Sequence, residues 1–225
     1  MGYRTLLFLS GLIIAVSIGL RQSLGLFMPP MTAALGITAA AFGFAIAVQN
    51  IVWGVSQPVV GAIADRYGPR PVLVGTALAY AGGLLLMAFS QTVPAGLQMG
   101  GVLAGIGTAG TGFGVLIGTV SRATPEAQRT RIVGTVAAAA SLGTFAIAPL
   151  GQSLIGSFGW KGALIAFAGL AASMAALSLC VREVQPAPSA GRGSASGTAT
   201  SPRREKPGPF SSQSSPSRPH ASVVR

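Results

Sequence analysis

Six apolar runs, each about as long as a bilayer crossing, constrain this chain more than any other feature of its sequence. They cover residues 6–28, 38–64, 71–90, 94–120, 132–158 and 160–181. A bilayer core about 30 Å thick needs about 20 predominantly apolar residues per helix. In hydrocarbon the backbone must satisfy its own polar groups, so runs of this length read as helices. The breaks carry turn chemistry at Pro29-Pro30, Gly68-Pro69, Pro94, Pro125 and Gly159. A soluble bundle would show polar faces at a 3.6-residue period, whereas the third run, VLVGTALAYAGGLLLMAF, has no charged face. The first run is too long for a secretory leader and lacks an Ala-x-Ala site, so it reads as a retained helix. The expected fold is an all-α integral membrane bundle of six transmembrane helices.

Composition removes most chemistry from consideration. The 225 residues are 50% hydrophobic and 8% charged, with one Cys, one His and four acids. A disulfide framework or zinc site needs more Cys and His than this, so no metal and no cofactor is expected. Paired-carboxylate catalysis has only Asp65, Glu126, Glu183 and Glu205 to draw on, and His220 lies in a polar tail. An intramembrane enzyme would need Ser/His, paired Asp or an Asp-rich motif within the helices, so no enzymatic activity is expected. The net charge of +11 is scattered between apolar runs and in the tail, with no basic helix face carrying interleaved aromatics, so nucleic acid is not an expected partner.

The cations read instead as a topology signal. Arg4, Arg66, Arg70, Arg122, Arg129, Arg131 and Arg182 fall on one set of loops, and Lys161 alone on the other. The excess of Lys and Arg marks the cytoplasmic side. This predicts a multi-pass protein of the plasma (inner) membrane with both termini cytoplasmic.

From Val184 the composition turns to Pro, Ser, Gly and Arg, with Phe210 the one aromatic. Such a segment buries too little apolar surface to offset its ordering entropy. The chain is therefore expected to divide into a membrane bundle, 1–183, and a disordered tail, 184–225. The fourth run holds small-xxx-small rows at Gly101/Gly105 and Gly110/Gly114/Gly118, which predict a central helix gripped closely by its neighbours.

Between the second and third runs stands Gly61-x-x-x-Asp65-Arg66-x-Gly68-x-Arg70. Gly61 is expected to permit close helix packing, Gly68 a turn with positive φ, and Asp65 a pairing with a cation or a helix N-terminus. This pattern resembles the signature loop of the major facilitator superfamily of transporters. PEAQRTRIVG, carrying Glu126, Arg129 and Arg131, resembles the family's loop between helices 4 and 5. IGLRQSLGLFMPP, Gln57-Pro58, APLGQSLI and FGWKGAL are similar to the monocarboxylate and oxalate–formate branch. The chain departs from the family at Gly101, where many members carry Arg, and at Ala148-Pro149, where antiporters carry Gly-Pro. The resemblance covers residues 1–183 and implies one six-helix half of a two-half transporter.

Secondary transporters bind substrate near the midplane. Arg21 is the charged residue well inside an apolar run. It reads either as a cation for an organic anion, gripped bidentately, or as an arginine snorkelling to the headgroups. Gln49, Trp53 and Gln57 repeat every four residues, with Asn50 adjacent and Gln152 on the fifth helix; these line a cavity or bond between helices. Thr108 and Thr111 are expected to bond their own backbone. The expected function is alternating-access transport of a small organic anion such as a monocarboxylate. The chain is expected to be truncated and inactive without a second six-helix half; the alternative is a half-size transporter working as a homodimer.

Overall fold

A computed structural model describes residues 3–90, 93–122 and 129–180. Seven helices account for nearly all of these, and no strand occurs among the described residues. They are α1 (Tyr3–Ser23), α2 (Met28–Leu35), α3 (Ala39–Tyr67), α4 (Pro69–Phe89), α5 (Val93–Thr111), α6 (Phe113–Arg122) and α7 (Arg129–Cys180). Five stretches are long and apolar enough to cross a membrane: Leu7–Leu35, Ala39–Tyr67, Pro69–Phe89, Gly96–Val120 and Thr130–Cys180. The last is two crossings. Gly159 leaves the helical conformation at φ 70°, ψ 174°. A Cβ on Gly151 would lie 2.8 Å from Phe167 Cζ, although a straight helix would set residues sixteen apart about 24 Å from each other. The chain therefore folds back at Gly159, dividing α7 into arms 129–158 and 160–180 and giving six spans.

Close approaches show how the spans run. Gly11 faces Ala139, Ala15 faces Gly143, and Gly19 faces Gly143 and Ile147, so the first and fifth spans are parallel. Gly101 faces Ala45 and Gly105 faces Gln49 and Val52, so the second and fourth are parallel as well. Gly100 faces Met87, Gly107 faces Tyr80 and Gly110 faces Thr76, so the third and fourth are antiparallel. These directions are those of a chain that crosses a membrane back and forth. The fourth span is central, as expected: its apolar window is 67% buried, against 17% for α3. Phe27 and Phe167 close one end of the core edge to face, with ring centroids 5.4 Å apart.

Three expectations need correction. Pro29-Pro30 does not end the first span. A short 3₁₀ turn, Leu24–Phe27, leads into α2, and both prolines sit in its first turn, where the missing N–H groups have no helical partner anyway. The span ends instead at Gly36, with φ 65°. The third span begins at Pro69, two residues before the expected Pro71. Gly61 does not mediate close packing: a Cβ there would meet nothing within 4 Å. Arg4, Arg129 and Arg122 have no described side chains, and Glu126, Arg182 and the expected tail 184–225 lie outside the described residues.

Candidate functional site

The extension of the first span to Leu35 moves Arg21 to its centre. Leu7 and Leu35 are each fourteen residues away, or about 20 Å at 1.5 Å per residue. Trp53 is likewise the central residue of α3, fourteen from Ala39 and fourteen from Tyr67. The two midpoints meet. The Arg21 guanidinium carbon lies 4.2 Å from the centroid of the Trp53 ring. Its Nη2–H donates to Asn50 Oδ1, one helical turn before Trp53, and its Nη1–H donates to Gln22 Oε1 at 3.5 Å. Asn50 in turn donates from Nδ2 to the Ile46 carbonyl at 2.8 Å. Arg21, Asn50 and Trp53 are half-buried, and Gln22 is exposed.

This geometry bears on the snorkelling alternative energetically. An arginine at the centre of a membrane helix costs about 2.5–3.5 kcal/mol on insertion scales. A desolvated cation–π contact returns about 2 kcal/mol, and a hydrogen bond to a charged group about 1.5–3 kcal/mol. The local partners are thus of the size needed to offset that cost.

The other candidates divide. Gln49 is 2% exposed and faces α5, where a Cβ on Gly101 would lie 3.8 Å from its own Cβ and 3.1 Å from the Ala45 carbonyl. That crowding leaves little room for a side chain at position 101. Among the described residues, Gln49 Nε2 has no hydrogen-bond partner. Gln57 is half-buried one turn beyond Trp53, and Gln152 is exposed on the first arm of α7. Asp65, Arg66 and Arg70 are exposed around the α3–α4 turn, where Gly68 takes φ 88° as expected and Arg66 lies 5.4 Å from the Tyr67 ring centroid. Arg131 is exposed at the start of α7.

Sequence reasoning missed a buried polar seam beside Arg21. Ser17, one turn before it on α1, has its Oγ 2.7 Å from Thr111 Oγ1. Tyr80 donates to the Ser17 carbonyl at 3.5 Å. Thr108 and Thr111 also bond their own helix at Ala104 and Gly107, as expected. Directly after Thr111 the fourth span bends at Gly112, whose added Cβ would lie 4.0 Å from Trp53 Nε1. The bend thus abuts the ring that carries Arg21. A groove of about 550 Å³, lined by residues including Val60, Ile63, Gly75 and Ile106, holds none of these groups.

Comparison with known proteins identifies relatives of this chain. Residues 7–220 match the Major Facilitator Superfamily. Monocarboxylate transporter 13 of Rattus norvegicus is 28% identical over 168 residues, covering 75% of this chain and 39% of that protein. The oxalate:formate antiporter of Oxalobacter formigenes is 32% identical over 165 residues, covering 73% of this chain and 38% of that protein. The inward-open xylose transporter XylE of E. coli shares the fold at TM-score 0.67 and 14% identity, covering 81% of this chain and 48% of that one. The chain thus spans about two fifths of the length of these curated relatives.

Proposed function

The chain belongs to the major facilitator superfamily, a multi-pass membrane family whose relatives here are transporters and not enzymes, and from that premise we propose that it forms one wall of an alternating-access path for a small organic anion, with Arg21 as the binding cation. The observation that carries this reading is the meeting of two span midpoints, Arg21 over Trp53. A permanent cation is held at the depth where transporters bind substrate, and guanidinium grips a carboxylate through two parallel hydrogen bonds. The relatives named for monocarboxylates and for oxalate and formate support that substrate class. Asn50 and Trp53 position the cation; Gln49, Gln57 and Gln152 extend the polar wall. The loop of Asp65, Arg66, Gly68 and Arg70, with Glu126, Arg129 and Arg131, acts at the cytoplasmic side of a plasma-membrane protein whose termini are both cytoplasmic.

Arg21 is only half-buried, and α3 exposes Phe44, Ile51, Val55, Val59 and Ile63. The opposite wall comes from a second six-helix bundle. A twofold pairing of this chain would set Arg21 against Arg21, which repels unless an anion lies between them. Reconstitution tests this. Lactate counterflow should appear when the chain shares liposomes with the second half of a monocarboxylate-transporter relative, and not with the chain alone. Counterflow by a cross-linkable dimer of the chain alone would replace this reading with the homodimer.

A further inference from the structure

Both terminal nitrogens of Arg21 meet neutral amide oxygens from different elements: Nη2 meets Asn50 Oδ1 on α3, and Nη1 meets Gln22 Oε1 on α1. The Asn50 amide is fixed, because its Nδ2–H is held by the Ile46 carbonyl at 2.8 Å and its oxygen is thereby turned toward Arg21. Trp53 lies 4.2 Å from the guanidinium carbon and covers one face of the cation. The edge formed by Nη1 and Nη2 is one that a carboxylate takes with its two oxygens. Two amide oxygens therefore occupy the same two terminal nitrogens that a bound carboxylate would take.

We propose that Asn50 and Gln22 form a displaceable latch on Arg21, and that a substrate carboxylate binds by replacing both amide oxygens, which frees α3 from α1. The inference rests on the reading of Arg21 as the anion-binding cation. Its logic is a graded competition. A neutral amide oxygen satisfies the guanidinium and keeps it at mid-span. A carboxylate makes stronger hydrogen bonds to it because both partners are charged, so exchange is downhill. Gln22 is exposed, so its amide swings aside without repacking. Asn50 sits on α3, the least buried span, which packs mainly against α5 through Gly101 and Gly105, so release of its oxygen unties α3 from α1 while that packing stays in place. An acidic side chain at position 50 would be a carboxylate that cannot leave.

The test uses the whole chain in nanodiscs with Trp160→Phe, which leaves Trp53 as the one indole of the two. Trp53 fluorescence is titrated with sodium lactate, and with lactamide as the uncharged isostere. The latch predicts that Asn50→Ala lowers the apparent Kd for lactate several-fold and that Asn50→Asp raises it by at least about tenfold, the factor equivalent to 1.4 kcal/mol. Gln22→Ala should also lower the Kd, which keeps the proposal testable if an Asn50 variant misfolds. Weaker lactate binding in both Asn50→Ala and Gln22→Ala would overturn the latch and make the amides substrate ligands. Wild-type affinity in all three variants, with binding lost in Arg21→Gln, would overturn the latch and leave the anion reading standing. Wild-type affinity in Arg21→Gln, or a wild-type response to lactamide equal to that for lactate, would overturn the anion reading and the latch with it.

Discussion

Ser17 and Thr111 share a hydrogen bond of 2.7 Å between two fully buried hydroxyls, joining α1 to the last turn of α5. The bond lies one turn before Arg21 and one residue before the bend at Gly112. Interhelical hydrogen bonds in membranes average about 0.6 kcal/mol and reach about 1.7 kcal/mol. Ser17→Ala should lower stability within that range, and Thr111→Val likewise. A double-mutant cycle by denaturant titration in micelles should show coupling, since either single variant removes the bond between the two helices. Additive losses would mean that the two hydroxyls act independently.

The parallel seam between the first and fifth spans should tolerate no side chain at Gly143, where a Cβ would collide with the Ala15 backbone. Gly143→Ala is expected to abolish monodisperse protein on size exclusion. Gly134 lies on the same helix with open space around it, so Gly134→Ala should fold normally and gain up to about 1 kcal/mol from helix propensity. Equal behaviour of the two variants would contradict the seam.

Membrane topology gives an independent check. The cations of the α3–α4 turn, Arg66 and Arg70, face one side, and Lys161, beside the Gly159 fold-back, faces the other. A reporter fused after Arg182 should work only as a cytoplasmic reporter, and one inserted at Gly36 only as an external one. Phosphatase activity from the Arg182 fusion would reverse the orientation.

Much of this architecture is legible in the residues themselves, because hydrocarbon imposes a length and a pattern that few sequences meet by accident. The six runs, the Gly68 turn and the centrality of the Gly-rich fourth span all follow from local chemistry. Pro29-Pro30 misleads because proline both breaks a helix and begins one, and which applies depends on the turn before it; here the 3₁₀ turn feeds α2. The row Gly11, Ala15, Gly19, spaced by fours, was a readable signal for the seam with α7. At the site, the spacing of Gln49, Trp53 and Gln57 marks a polar helix, but not which face meets Arg21. Close packing of Gly101 and Gly105 turns Gln49 toward α5 and leaves Asn50 and Trp53 for the cation. That choice is tertiary, since it depends on how closely α5 approaches α3.

The central claim is that the mid-span cation binds the transported anion. It is tested most directly by lactate uptake through the chain paired with a relative's second half, comparing Arg21→Gln with Arg21→Lys at equal membrane insertion. The account predicts that Arg21→Gln lowers uptake by at least about 100-fold, the loss of charge-assisted hydrogen bonds to the carboxylate. Arg21→Lys should retain a partial signal with a raised KM, because the charge remains while the bidentate geometry is lost. Uptake by Arg21→Gln equal to that of the unmodified pair would contradict the account.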